Sequence, residues 1–257
     1  MSRRKWTEME TILAMDLYTR IPRSKITEKN EYVIELAKII DRTPGAVALK
    51  MHNLSHFDPS LQMRNLSGMS HTSKLDKIIY EKFAENIEEL SFSAQQIKVR
   101  LLHTPVERLL PDLKLDSIPI GMNKERQVKT RVGQYFFRKS VLAAYGNSCC
   151  VTKLKNEELL VASHIKPWNV SNDENEKTNP SNGLCLNSLH DKAFDRGLIT
   201  IDDNYRIVNS RYIYDTEMDD ETRGWFDFYN GKEITLPDKF RPKKEFIEYH
   251  NDVIFQG

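Results

Sequence analysis

Residues 158–201 read ELLVASHIKPWNVSNDENEKTNPSNGLCLNSLHDKAFDRGLITI. The run Leu159-Leu160-Val161-Ala162 is short and apolar and predicts a buried strand that ends at Ser163-His164. Ile165 to Ser181 is mostly polar and predicts a loop. Asn182-Gly183 turns the chain into Leu184-Cys185-Leu186, a second strand. Asn187 or Ser188 suits the cap of a helix over Leu189 to Asp195, with His190 in its first turn and Asp195 at its end. Leu198 to Ile201 predicts an exit strand. Strand, loop, strand and helix therefore carry His164, Asn182 and His190 in that order.

Working outward, 257 residues are enough for two domains, each with a core. Hydrophobic residues at 39% and charged residues at 29% are ordinary for a globular protein. The net charge of +1 means that any basic surface is local and offset elsewhere. No apolar run reaches the ~20 residues of a membrane span. MSRRKWTEME has basic residues but no apolar core after them, so no secretory signal is expected there. Cys149, Cys150 and Cys185 make neither a disulfide framework nor, lacking a CxxC pair, a four-cysteine zinc site. The expectation is a cytoplasmic protein without a membrane span or structural zinc.

Upstream, Thr7 and Glu10 fit a capping box for a first helix carrying Ile12, Leu13, Leu17 and Tyr18. Tyr32 to Ile40 is amphipathic and predicts a second helix. Thr43-Pro44 caps and starts a third, running to about Leu54. In the third helix Val47, Met51 and Leu54 share one face. Ala48, Leu49, His52 and Asn53 share the other, with Lys50 at its margin. Small residues, an amide and a basic group suit entry into a major groove, so Lys50, His52 and Asn53 are candidate DNA contacts. A plain three-helix scaffold fits the spacing as well. With its Trp6-Thr7 opening and RTPGAVALKMHNL helix, this region resembles a Myb-like or tri-helical DNA-binding domain.

His56 to Ser73 predicts a long polar loop carrying Arg64 and His71, with Lys74 following. Lys74 to Leu90 predicts a helix, and Ser93 with Gln96 predicts the cap of another that reaches Leu102. Prolines 105, 111 and 119 mark a linker over 105–122. The expected organisation is a helical DNA-binding domain over 1–104 and a second domain over 123–257. From Lys124 a helix is expected up to Gly146. On it Gln127, Arg131, Gln134 and Arg138 form one stripe that suits phosphates or a solvated face equally. Beyond residue 201, Asp202-Asp203-Asn204 predicts a hairpin turn. Ile213 to Asn230 predicts aromatic core packing through Trp225, Phe226, Phe228 and Tyr229. Lys243 to Asp252 predicts a closing helix.

A histidine at the end of a buried strand, before a loop, is held rigidly and suits a general base near neutral pH. The residues CCVTK at 149–153, ASHIKPW at 162–168 and NPSNGLCLNSLHDKAFDRGLIT at 179–200 resemble the HNH, or ββα-metal, nuclease superfamily. With RVGQYFFRKSVLAAYG upstream and PDKFRPKKEFIEYHNDVIFQG at the end, they resemble more closely its branch of bacterial restriction endonucleases, over residues 120–257. That resemblance implies an α+β chain with a helix-turn-helix-like domain before a ββα-metal domain. It implies hydrolysis of DNA phosphodiester bonds to 5′-phosphate and 3′-hydroxyl ends. Matched position by position, His164 is the general base, Asn182 braces the loop or supports the base, and His190 is a metal ligand. Many relatives have Asp or His just before the base, as a metal ligand; here it is Ser163. Asn182 or Asp195 is then the candidate to complete the metal shell, a local helix-capping or ion-pairing role for Asp195 fitting equally. Oxygen ligands favour Mg2+ or Mn2+, and the imidazole admits a transition metal. Lys166 is a candidate phosphate contact. One such site cuts one strand, so double-strand cleavage of DNA implies a homodimer or two binding events. A nicking or nonspecific nuclease effector, and a DNA-binding regulator with a decayed nuclease fold, remain the alternatives.

Overall fold

The computed structural model describes residues 4–62, 72–113 and 123–257. Arg64, His71 and positions 114–122 of the expected linker lie outside the described residues. The first helix, α1 (Glu8–Arg20), starts at Thr7, whose side chain accepts from the Glu10 amide while the Glu10 carboxylate accepts from the Thr7 amide. This is the reciprocal capping box expected from the sequence. Next come α2 (Glu31–Ile39), capped by Asn30, and α3 (Pro44–Ser55), capped by Thr43 with Pro44 in its first turn. Val33, Leu36, Val47, Met51 and Leu54 are buried with Leu13, Leu17 and Tyr18, so the three helices close on one apolar centre.

A single-turn α4 (Pro59–Gln62) precedes α5 (Lys74–Phe83) and α6 (Ile87–Leu102). Here the expected boundary at Ser93 is corrected. The break falls at residues 84–86, and Asn86 caps α6 by accepting from the Glu89 amide. Ile87, Leu90, Ala94 and Ile97 form one buried stripe across position 93, and burying that stripe outweighs a serine cap. Ser93 instead turns its hydroxyl to the Glu89 carboxylate. A single-turn α7 (Val106–Leu109) leads on to α8 (Lys124–Ala144), which stops before Gly146 at φ +62°.

Helix α8 is the shared wall of the molecule. It packs on α6 and α1 on one side and on the first hairpin on the other. That hairpin pairs β1 (Leu160–His164) antiparallel with β2 (Gly183–Asn187), in the register Ser163 opposite Leu184 and His164 opposite Gly183. Helix α9 (Ser188–Asp195) follows at once, capped by Asn187. The hairpin β3 (Ile199–Ile201) and β4 (Ile207–Asn209) forms around the expected Asp202–Asn204 turn. Together helices and short antiparallel sheets give the α+β architecture expected from the sequence.

The C-terminal part carries α10 (Arg211–Asp215), α11 (Asp220–Asp227) and α12 (Lys244–Tyr249), and a π-turn over His250–Ile254 follows α12. Of the aromatic run expected in the core, Phe226 is buried, but Trp225 and Phe228 stand 50% and 62% exposed. The short α11 has only one face against the core, so neighbouring positions must point outward. Lys239 is fully buried and donates to the carbonyls of Tyr18 and Ile21, stitching this part to the N-terminal helices. Among the described residues, no helix is long and apolar enough to cross a membrane.

The turn after α9 has no room for a side chain. Gly197 sits at φ +67°, and a Cβ there would lie 2.0 Å from the Ile254 carbonyl oxygen. Gln256 donates to the Gly197 and Arg196 carbonyls, laying the C-terminal tail against this turn. Gly146 has the same backbone sign but nothing within 4 Å. Gly197→Ala therefore costs more than ~3 kcal/mol, whereas Gly146→Ala costs only the left-handed backbone penalty of about 1–2 kcal/mol. Urea unfolding of the two variants checks this, and equal costs would contradict the close approach.

Candidate active site

Alternation along β1 puts Ser163 and His164 on opposite faces of the strand, with His164 on the face against α8. The His164 ring stacks on Phe137 of α8 at 4.3 Å between centroids and meets Trp168 edge-on at 5.6 Å. Gly183 makes this approach possible, because a Cβ there would stand 2.5 Å from Val141 Cγ2 and 3.2 Å from Phe137 Cζ. Nε2 of His164 lies 2.8 Å from the Lys177 carbonyl oxygen. A carbonyl only accepts, so the ring proton sits on Nε2 and Nδ1 keeps its lone pair. Burial pulls the His164 pKa below the ordinary histidine value, outweighing the opposing bond to Lys177. The result is a neutral imidazole with a fixed tautomer, as a general base requires.

Asn182 builds the loop that supplies this carbonyl. It is fully buried. Its Oδ1 accepts from the Lys166 amide at 2.8 Å, and its Nδ2 donates to the carbonyls of Lys166 and Glu176 at 3.0 and 3.2 Å. Both amide atoms are thus engaged in bracing residues 166–177. From outside, Asn86 donates to the Glu174 carbonyl and the Glu88 amide donates to Thr178 Oγ1, so the start of α6 holds the same loop.

Beside His164 runs a groove of about 470 Å³ between β1 and α9. Ser163, His164, Asp191, Lys192, Asp195 and Arg196 are among the residues that line it. Burial, and then the charge of Asp191, raises the Asp195 pKa, with Lys192 and Arg196 opposing. A larger cleft of about 1020 Å³ lies elsewhere, lined by residues such as Asp58, Tyr80, Tyr205 and Lys243. No expected catalytic or metal residue borders it, whereas His164 and Asp195 line the smaller groove.

The structure brings His164 and Asp195 to this groove but does not bring His190 with them. His190 is 3% exposed and faces Phe226 and Tyr229 at 6.0 and 5.5 Å. Asn187 Oδ1 accepts from the His190 amide and lies 3.1 Å from its Nδ1, which places the ring proton on Nδ1. Nε2 is left buried without a hydrogen bond. Burial lowers the His190 pKa, and the nearby Trp225 backbone opposes that without reaching hydrogen-bond geometry. An orphaned imidazole nitrogen is one donor suited to a cation. The carboxylates of Asp191 and Asp195, on the groove side, are others. Among the described residues no three His, Cys, Asp or Glu side chains converge on one point.

The expected DNA contacts divide. Arg131 and Gln134 stand exposed on α8. Arg138, on the same stripe, is used internally, donating to the carbonyls of Leu160 and Glu157 at the start of β1. Lys50 is 4% exposed, ion-paired with Asp76 at 2.5 Å and seated over Trp6, so it packs inside the helical part. His52 is half-buried against the Ile26 carbonyl, and Asn53 is half-buried. Lys166 pairs with Glu176 at 2.7 Å. Sequence reasoning passed over Asp191, Lys192 and Arg196. Their signal was the interleaved spacing of DKAFDR, which puts two acids and two bases one turn apart. The Lys177 carbonyl had no signal, since any residue supplies one.

Residues 149–202 match a family model described as HNH endonuclease. The match spans β1, the braced loop, β2, α9 and β3. No curated protein matches the chain. A solved structure titled "Modification dependent TagI restriction endonuclease" aligns at 19% identity over 45% of this chain and 36% of its own length, with a TM-score of 0.28. The aligned part is thus about a third of that protein, too loose a likeness to bear on fold or function.

A ring held in this way has a defined signature. In 15N-edited NMR spectra, neutral His164 should show its proton on Nε2 and a titration midpoint below ~6.5, the unperturbed histidine value. A proton on Nδ1, or a midpoint above that value, would contradict the Lys177 bond and the burial.

Proposed function

We propose that the chain, whose residues 149–202 match an HNH endonuclease family model, is a divalent-metal-dependent DNA endonuclease of a restriction system, with His164 as its general base. The supporting observation is the His164 ring, whose Nε2 is committed to the Lys177 carbonyl and whose Nδ1 is free in the neutral state. Nδ1 takes a proton from water, and the resulting hydroxide attacks the scissile phosphorus. Asn182 is a positioning residue, holding Lys166 and Glu176 so that the next carbonyl meets the ring. Lys192 and Arg196 line the groove and offer positive charge to phosphate oxygens. A bound divalent cation supplies neutralisation of the phosphate charge and stabilises the departing 3′ oxygen. Of the candidate ligands His190, Asn182 and Asp195, Asp195 is the one that borders the groove, and in this reading it would hold that cation.

In this reading the N-terminal helices select or hold the DNA duplex through the half-buried His52 and Asn53 on α3, and Arg131 and Gln134 on α8 add contacts from the second domain. A homodimer would bring two such sites to opposite strands.

Incubation with supercoiled plasmid tests the reading. Cleavage requires added Mg2+ or Mn2+, and His164→Ala slows it by roughly 10²–10⁴-fold, the usual contribution of a general base. Equal cleavage by His164→Ala removes the base assignment, and undiminished cleavage in a chelator removes metal dependence.

A further inference from the structure

The Lys177 peptide, whose oxygen meets His164, hangs between two anchors. On one side Asn182 Nδ2 donates to the Glu176 carbonyl at 3.2 Å. On the other the hydroxyl of Thr178, a residue 2% exposed, accepts from the Glu88 amide at 3.1 Å. Glu88 is the second residue of α6, and its amide is among the first four of that helix, which find no partner within it. Asn86 Oδ1 satisfies the Glu89 amide, and Thr178, 90 positions along the chain, satisfies the Glu88 amide. Asn86 also donates from Nδ2 to the Glu174 carbonyl at 2.7 Å. The helix start and the loop thus complete each other's hydrogen bonding.

The start of α6 is itself placed by α8. A Cβ at Gly133 would lie 2.7 Å from Glu88 Cβ and 3.1 Å from Glu88 Cα, so the two helices meet at a separation that needs glycine. Lys129, one turn earlier on α8, pairs with Glu89 at 2.6 Å. Gly133 and Phe137 are four residues apart and share one face of α8. Phe137 stacks on the His164 ring at 4.3 Å. The contacts close a circuit. Gly133 seats Glu88, the Glu88 amide holds Thr178, the adjacent Lys177 carbonyl holds His164 Nε2, and the imidazole returns to Phe137 one turn from Gly133. Imidazole and carbonyl are both referred to one helix, so their separation does not depend on the loop alone.

We propose that Thr178, Asn86 and Gly133 are positioning residues for His164, setting the Lys177 carbonyl against the imidazole through the start of α6. Asn86 and Gly133 lie outside the residues that match the HNH family model, so part of the base's support comes from beyond that motif. For its effect on cleavage the proposal rests on the nuclease reading above; the held Nε2 proton does not.

The test uses the full chain. Thr178→Val removes the acceptor at nearly constant volume, and Thr178→Ser keeps it. Asn86→Asp keeps the cap of α6 and loses the donor to Glu174. Gly133→Ala forces the helix start away from α8. Gly146→Ala, strained at a left-handed turn outside the circuit, is the control for general destabilisation. Two readouts are compared: solvent exchange of the His164 Nε2 proton in 15N-edited spectra, and the single-turnover rate of plasmid cleavage at saturating DNA. Thr178→Val, Asn86→Asp and Gly133→Ala should each speed that exchange and slow cleavage by at least about tenfold, as misplacing a catalytic group does, with DNA affinity within about twofold of the parent. Thr178→Ser and Gly146→Ala should leave both readouts within about twofold. Parental exchange and cleavage in Thr178→Val and Asn86→Asp overturn the proposal, whether or not Gly133→Ala folds. Equal losses in Gly146→Ala also overturn it, since the effect is then one of general stability. The exchange readout needs no DNA: faster exchange with unchanged cleavage upholds the positioning role and removes His164 as the base instead.

Discussion

The hydrogen bond from His164 Nε2 to the Lys177 carbonyl is the contact on which the site depends. One main-chain oxygen fixes the tautomer, leaves Nδ1 with its lone pair and holds the ring flat against Phe137. Because the ring is buried, its neutral form persists below the ordinary histidine range, so a single contact supplies both geometry and protonation state. A carbonyl can do this only if its own position is fixed. That explains why the loop around Asn182 carries so many internal bonds: Ser171 to the Lys166 and Pro167 carbonyls, Glu176 to Lys166 and the Asn172 amide, and Asn182 to three points.

The loop is also held from outside. Asn86 and the Glu88 amide fasten it to the start of α6, and Lys129 on α8 reaches Glu89 at 2.6 Å. The start of α6 therefore links α8, which carries Arg131 and Gln134, to the segment that positions the base. Lys239, buried with its ammonium on the Tyr18 and Ile21 carbonyls, ties the C-terminal segment into the same helical core. Burial draws its pKa down to about 7, against the opposing charges of Asp58 and Asp238. An ammonium held by carbonyls in an apolar interior makes a directional fastener, since the bonds form in one docking geometry.

Much of this was legible in the sequence, for identifiable reasons. The apolar run 159–162, the Asn182-Gly183 turn and the Asn187 cap act locally, and each appears where the residues place it. Boundaries set by long-range burial were less legible: Ser93 reads as a cap until the stripe of Ile87, Leu90, Ala94 and Ile97 is seen to run through it. The site divided along the same line. His164 at a strand end was readable because a strand end fixes its surroundings. Helix position gave no guide to which side of α9 faces the groove. That depends on how α9 lies against β1 and α11, and it brings Asp191 and Asp195 to the groove while turning His190 toward Phe226 and Tyr229. Lys50 likewise reads as a groove contact until α5 brings Asp76 against it. The Phe137 stack and the Lys177 carbonyl join parts far apart in the chain and leave no mark in any short motif.

The central claim, that an imidazole held by the Lys177 carbonyl activates the attacking water, is tested most directly by the pH dependence of single-turnover DNA cleavage with and without that ring. The parent should show an acidic limb with an apparent pKa below ~6.5. In His164→Gly that limb should vanish, and dissolved imidazole should restore cleavage along a limb that follows its own pKa. An acidic limb unchanged in His164→Gly, with no rescue by imidazole, would assign the proton transfer to another group.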